Sequence, residues 1–450
     1  MKKVKKILAL AISSLMVTSA LTGCAANGDK KTDEGTKPAA EEKKENVTLN
    51  IFQFKVEIDK EFKEAAQAYT TEHPNVKINV ETVGGGADYG AALRAKIQGG
   101  TEPSIFNIGG PQDVKDWESR LVDLTNEPWT KQALDGVLSG VTVNNKVYAM
   151  PFAVEGYGFV YNKEIFQTAG IDTKGVKDYA SLEKAVKDLD TKIKAGELKS
   201  KYPNLEAAFE LPAKETWVTG LHTSNAAISQ EFNSSLDAFA AKKIDFKNGE
   251  ALKALIDLQA NYSPSAKSKE KLSTVDYATQ VDQGLAIERV AMVQQGNWIY
   301  GGVQKIDPKV ADKLDILPMS VKGGKEDTIP MGVPMYWAVN NKGTAAEQAA
   351  AKDFLNWLYT SEKGKDYIVN KFFFIPPFKG YESLQPKDPL GAAVKRYAEA
   401  GKTTPWVFMG YPTGWGMEVL GQEIQKYLAG QEDWNAVMKN SQAKWEEMRK

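Results

Sequence analysis

The chain has 450 residues, with 57 Lys and Arg against 58 Asp and Glu (formal charge −1), two histidines and a single cysteine. That length exceeds one ordinary hydrophobic core and calls for two domains or so, while the near-neutral balance argues against a nucleic-acid partner, which requires a basic surface. One cysteine leaves no intrachain disulfide and no Cys-based zinc site. His73 and His222 lie too far apart in sequence to suggest a His-rich metal centre, so neither metal nor cofactor is expected.

At the start of the chain Lys2, Lys3, Lys5 and Lys6 precede an apolar stretch from Ile7 to Ala20, and Leu21-Thr22-Gly23-Cys24 follows. The stretch is shorter than the roughly 20 residues a membrane span needs and reads as a signal-peptide core. Leu-Thr-Gly-Cys resembles the lipobox of bacterial lipoproteins. That resemblance implies cleavage after residue 23, acylation of Cys24, and a folded body tethered to the outer face of a membrane. Losing residues 1–23 removes four lysines and no acids, taking the formal charge to about −5. Residues 24–46 are rich in Gly, Asp, Glu, Lys, Thr and Pro, without aromatics. They bury too little to repay ordering, and a flexible spacer is expected. No second long apolar run follows, so lipid would be the sole membrane attachment.

Val47 to Phe54 reads as a strand, with Leu49 and Ile51 on one face and Phe52 and Phe54 on the other. From Asp59, residues Phe62, Ala65, Ala66 and Tyr69 share a helical face. His73-Pro74 should end that helix, since Pro disfavours helix at the residue before it. Val76, Ile78 and Val80 alternate as a second strand up to Gly84-Gly85-Gly86. Tyr89–Gln98 reads as a helix closed by Gly99-Gly100, and Ser104–Ile108 as a third strand. The alternation predicts a right-handed parallel α/β sheet with ligand beyond the carboxyl ends of its strands. Those ends are Phe54-Lys55-Val56-Glu57 and Asn107-Ile108-Gly109-Gly110. Lys146–Pro151 and Gly158–Tyr161 read as short strands, and helical periodicity dominates from Ser181 to about Gln295. Strand character returns at Ile316–Met319 and Met335–Val339. Ala345–Tyr359 is a helix, and Leu420 to Met448 closes the chain in amphipathic helices.

Four local patterns then carry a resemblance. They are Gly-Gly-Thr-Glu-Pro-Ser-Ile-Phe at 99–106; Val147 to Glu155 followed by Tyr161-Asn162-Lys163; Val290-Ala291-Met292 with Gly296-Asn297-Trp298; and Gly332-Val333-Pro334 to Asn340, then Ala349–Gly364. In this order and spacing the chain resembles the extracellular solute-binding proteins of bacterial ABC importers, in the sugar-binding family 1, from about Val47 to Lys450. The resemblance implies an α/β, type II periplasmic-binding-protein-like fold, with two hinge-connected lobes and ligand in the cleft between them. Carried over, lobe one is 47–152 plus 338–378 and lobe two 153–337 plus 379–450. It also implies an oligosaccharide ligand, the membrane subunits of an ABC importer as partner, and a monomeric receptor rather than an enzyme.

Sugars show hydroxyls at the ring edge and C–H patches on the faces, so a site for them joins aromatic platforms to in-plane polar groups. Trp298 matches the family's Gly-x-Trp platform. Trp415, in Tyr411-Pro412-Thr413-Gly414-Trp415-Gly416, matches a late aromatic that stacks a second ring. Trp217, Trp337 and Trp406 admit either cleft or packing roles, and Tyr336-Trp337 sits at a lobe crossing. Trp117, Trp357, Trp434 and Trp445 fall on amphipathic helices and read as core. Glu155 matches the family's cleft carboxylate, with a hinge salt bridge as the rival reading. Lys55, Glu57 and Asn107 sit at strand ends facing the crevice, and Phe54, Tyr157 and Asn297 join them from the same segments. Asp88 and Tyr89 are weaker candidates. The competing class, a secreted glycoside hydrolase, needs a carboxylate pair about 5–10 Å apart, and no acid/base motif stands out. Receptors for peptides, polyamines or metal ions fit the aromatic loops less well than a gluco-oligosaccharide of cello- or malto-type does.

Overall fold

The computed structural model describes residues 45–450 except Gly86 and Gln385. The expected signal peptide, Cys24 and all but the last two residues of the spacer therefore lie outside the described residues. In chain order the strands are β1 (Val47–Gln53), β2 (Val76–Thr82), β3 (Ile105–Ile108), β4 (Thr142–Val143), β5 (Lys146–Val147), β6 (Met150–Pro151), β7 (Glu155–Asn162), β8 (Ala207–Glu210), β9 (Val290–Gly296), β10 (Leu314–Leu317), β11 (Ile329–Gly332), β12 (Tyr336–Val339) and β13 (Thr403–Pro405).

The two lobes each have their own sheet. In the first, the order is β2-β1-β3-β12-β6. Strands β1, β2 and β3 run parallel, as their alternation with helices predicts, but β12 and β6 pair antiparallel, so the sheet is mixed rather than parallel throughout. Both faces are covered. Val47, Leu49 and Ile51 pack on α1 (Asp59–Glu72) through Phe62, Ala65 and Tyr69, while Phe52 packs on α2 (Tyr89–Gln98) through Tyr89, Leu93 and Ile97. α1 ends at His73, ahead of Pro74, and Asp88 caps α2 by accepting from the Ala91 amide at 2.9 Å. Beyond β3 a short α3 (Pro111–Trp117) follows Gly110.

The second sheet runs β13-β11-β7-β9-β8, with β10 on the far half of β7. Every residue of β7 is buried. Two corrections to the sequence reading fall here. The helical stretch from Ser181 to Gln295 contains β8 and β9, and β11 and β13 are further strands that periodicity left out. Short apolar runs buried on both faces, such as Val290–Gly296, show neither helical nor alternating period. The crossing back to lobe one comes before Tyr336, since Tyr336 and Trp337 pair with Ile108 and Asn107.

Two short π-helical segments, Val218–Thr223 and Trp415–Gly421, cross in lobe two. Their backbones touch at glycine. A Cβ on Gly220 would lie 1.9 Å from the Gly416 carbonyl oxygen, so no larger residue fits there. Such segments often mark functional sites, and both border the cleft.

Candidate functional site

The lobes enclose a cleft with a cavity volume of about 680 Å³ at the carboxyl ends of β1 and β3, as open α/β sheets lead one to expect. Its floor is set by side chains that tie strand ends together. The Gln53 amide accepts from the Lys55 backbone N–H at 2.6 Å and donates to the Lys55 carbonyl at 3.0 Å. Asn107 accepts from the Phe54 amide at 3.2 Å and donates to the Tyr336 carbonyl at 3.4 Å. Asn107 thus lines the cleft with its polar atoms committed to backbone.

Lys55 projects from this turn onto Glu155, the first residue of β7, with Nζ 2.5 Å from Oε1 and both side chains about 95 % buried. The pair joins the two lobes, which is the salt-bridge reading of Glu155, and both residues also face the cavity. Burial works against the Lys55 charge, yet the carboxylates of Glu155 and Glu57 outweigh it and hold the lysine above its ordinary pKa. Its Nζ also lies 5.4 Å from the Trp298 ring centre and 5.6 Å from that of Phe54.

Trp298 presents its ring to the cavity. Its N–H is bound to Gln295 Oε1 at 2.8 Å, Gln295 is held by Gln280, and Gln280 by the Glu210 carbonyl. Gly296 makes room beneath, since a Cβ there would lie 2.2 Å from the indole. Trp217 is held in the same way, donating to Glu215 at 3.0 Å. With their N–H groups already committed, both indoles offer faces. Behind them His222 stacks on Tyr157 with centroids 4.3 Å apart, and burial with the nearby Lys55 charge pushes its pKa down to about 3. His222 is therefore neutral. Its Nδ1 and the Trp406 N–H have no hydrogen-bond partner among the described residues.

Of the residues singled out in the sequence, Phe54, Lys55, Glu57, Asn107, Glu155, Trp217, Trp298 and Trp406 line the cleft together, as do Asp88 and Tyr89. Five others do not. Trp415 is fully buried, donates to the Ser441 carbonyl at 2.8 Å and packs edge-on against Trp445 and Tyr411. The π-helical turn aims its indole into the lobe-two core and leaves Gly414, Gly416 and Met417 at the cavity. Trp337 stacks on Phe62 and donates to the Tyr359 hydroxyl, so packing wins there. Tyr336 donates to the Val137 carbonyl, Tyr157 to the His222 carbonyl, and Asn297 accepts from the Gly156 amide. These three support the cleft from behind.

Conversely, Trp117, assigned to core from its helix, borders the cavity, and so do His222, Tyr277, Phe408, Met409, Arg94 and Asp113. Asp113 accepts from the Gly109 amide at 2.6 Å, and burial raises its pKa to about 6. The lobes also touch at the rim. Thr413 donates to Asp116 at 2.5 Å, Arg449 to Gln112 at 2.7 Å, and a Cβ on Gly110 would lie 2.8 Å from Met409. Among the described residues no cluster of His, Cys, Asp or Glu is placed to hold a metal ion.

Two mixed α/β lobes around an aromatic-walled cleft define the type II class of ligand-binding proteins. The chain belongs to the bacterial extracellular solute-binding proteins, whose family model matches residues 64–402; this is a family of binding proteins rather than enzymes. Among curated relatives, a multiple sugar-binding protein of Streptococcus mutans is 25 % identical over 285 residues, or 60 % of this chain and 62 % of that protein. A xylose/arabinose-binding protein of Haloferax volcanii is 22 % identical over 52 % of this chain and 50 % of its own length. The chain thus spans between half and two thirds of these relatives. Among solved structures, the solute-binding protein RafE in complex with raffinose superposes with a TM-score of 0.70 at 18 % identity, covering 90 % of this chain and 100 % of that one. A sugar transporter of Bacillus licheniformis in complex with stachyose gives 0.68 at 17 % identity, over 89 % and 100 %. At such identities these likenesses speak for the fold.

Proposed function

We propose that this chain is a lipid-anchored extracellular receptor that binds an oligosaccharide in the interlobe cleft and delivers it to an ABC importer. The observation that carries the reading is the pair of indoles, Trp298 and Trp217, whose N–H groups are bonded within the protein and whose rings border a 680 Å³ cavity. Faces of this kind suit the C–H patches of sugar rings, and the surrounding carboxylates and neutral imidazole suit hydroxyls. The names of the relatives, which bind raffinose, stachyose or multiple sugars, support the same class. Within it, a gluco-oligosaccharide of cello- or malto-type is the ligand proposed. Lobe one would comprise roughly 47–152 plus 338–378 and lobe two 153–337 plus 379–450, with the second crossing moved to just before Tyr336 by its pairing with Ile108, and the lobes would close by hinge motion at these crossings. Among the described residues no helix is long and apolar enough to cross a membrane; attachment through Cys24 rests on the Leu21-Thr22-Gly23-Cys24 pattern alone. Calorimetric titration with cellotriose, maltotriose, xylotriose, raffinose and stachyose tests the reading. Saturable binding of at least one, with the sugar recovered intact, is expected; no binding across the panel, or steady release of shorter products, overturns it.

A further inference from the structure

The charges around the cavity are unequal. Three cations line it, Lys55, Arg94 and Arg120, against five carboxylates, Glu57, Asp88, Asp113, Asp116 and Glu155. Each cation already faces an acid: Lys55 on Glu155 at 2.5 Å, Arg120 on Glu102 at 3.2 Å and Arg94 on Glu418 at 3.9 Å. Only Arg94, whose contact with Glu418 is long and exposed, is loosely held, so carboxylates outnumber the positive charge an anion would meet. Two carboxylates have the opposite status. Glu57 feels the Lys55 charge but makes no hydrogen bond or ion pair among the described residues, and Asp113 spends one oxygen on the Gly109 amide, with two acids, Asp116 and Asp88, and one cation, Arg94, as its charged neighbours.

We propose that the cleft selects its ligand by charge: it takes a sugar whose hydroxyls donate to Glu57 and Asp113, and it rejects sugars bearing a carboxylate, sulfate or phosphate. The inference rests on the oligosaccharide reading and narrows it. Hydroxyls satisfy these acceptors at little cost, because each donates where the protein has only lone pairs to offer. An anionic group enclosed in the same space gives up its hydration, finds only the loosely held Arg94 as a counter-charge, and meets carboxylates at short range. Like charges so juxtaposed in an enclosed interface cost several kcal/mol, which corresponds to about 100-fold or more in affinity.

The test compares neutral and acidic trisaccharides by calorimetry at pH 7.5. The probes are cellotriose, maltotriose, xylotriose and raffinose against trigalacturonate and a xylotriose carrying one glucuronate. The acidic members are expected to bind about 100-fold more weakly than the tightest neutral one. That gap should change little between 20 and 500 mM salt, because charges enclosed at short range are screened far less than exposed ones. The double variant Glu57→Gln/Asp113→Asn should narrow it by about tenfold or more, and the single variant Glu57→Gln, at a half-buried side chain without a hydrogen-bond partner among the described residues, should narrow it in the same direction if the double variant does not fold. An acidic trisaccharide binding within threefold of its neutral counterpart overturns the charge selection and leaves the oligosaccharide reading standing. A gap that the folded Glu57→Gln/Asp113→Asn variant leaves unmoved assigns the rejection to shape and overturns it equally. Failure of every sugar to bind removes the oligosaccharide reading itself.

Discussion

Replacing Glu155 by Gln keeps the shape of its side chain and takes away the charge that faces Lys55 across the lobe boundary. Nζ and Oε1 are 2.5 Å apart and both side chains are about 95 % buried, so the lysine would be left enclosed without its main counter-charge. Removing one partner of such a pair typically costs about 3–5 kcal/mol, most of it the penalty for the stranded ion. The native lysine is held above its ordinary pKa. Its contribution is therefore complete below the unfolded-state value of about 10.4 and is lost as pH rises through the higher folded value. In the variant, burial prevails and the folded pKa falls below the unfolded one. The deficit is then full at neutral pH and shrinks as the medium approaches pH 10. Urea denaturation followed by tryptophan fluorescence at pH 7 and pH 10 measures both quantities. Combining Lys55→Met with Glu155→Gln should recover much of the loss, because an apolar replacement of a buried ion pair is often neutral or stabilising. A single variant within about 1 kcal/mol of the native protein at pH 7 would refute the argument that this pair is locked and dry.

Trp298→Ala should weaken oligosaccharide binding by about 1–3 kcal/mol for one lost stacking face, read by calorimetry, with little change in fold. Trp415→Ala should do the reverse, lowering stability by about 3–5 kcal/mol as a core indole is emptied, with affinity near native where the variant is folded. The His222 pKa near 3 lies below the unfolded value of about 6.5, so this residue withdraws stability as the pH falls from 6.5 towards 3. His222→Phe should flatten the acid limb of a stability-versus-pH curve, and an unchanged limb would contradict burial of a neutral ring. Cys24→Ala should move the protein from the membrane fraction to the medium; retention at native levels would exclude lipid attachment.

How far the chain could be read without coordinates depended on the length of each element. α1 and α2 run for several turns with one apolar face and clear stops at His73-Pro74 and Gly99-Gly100, so their limits were legible. β8, β11 and β13, at three or four residues, are too short to show any period, and β9 is buried on both faces. The tryptophans show a second limit. Trp415, in a Gly/Pro-rich loop, reads as a sugar platform and Trp117, on an apolar helical stripe, reads as core, yet the fold buries the first and sets the second at the cavity. A π-helical turn decides the first, and the position of α3 at the edge of the cleft decides the second. Neither is written in local periodicity. His222 owes its role to Tyr157 and Trp406, residues 65 or more positions away that only the folded sheet brings near.

The rim contacts carry a consequence for how tightly such a receptor grips. Thr413 on Asp116, Arg449 on Gln112 and Met409 against Gly110 hold the lobes together through atoms that belong to the protein alone. Where the liganded form is the one with these contacts made, the apparent dissociation constant is the intrinsic one divided by the fraction of empty receptor already shut. A rim bond that shifts this equilibrium by about 1.4 kcal/mol, while the shut form is the minor one, changes apparent affinity tenfold. Arg449, on the far side of the rim from Gln112, thus acts as a gain control: it would set how tightly a ligand is held while the choice of ligand stays with the cavity walls.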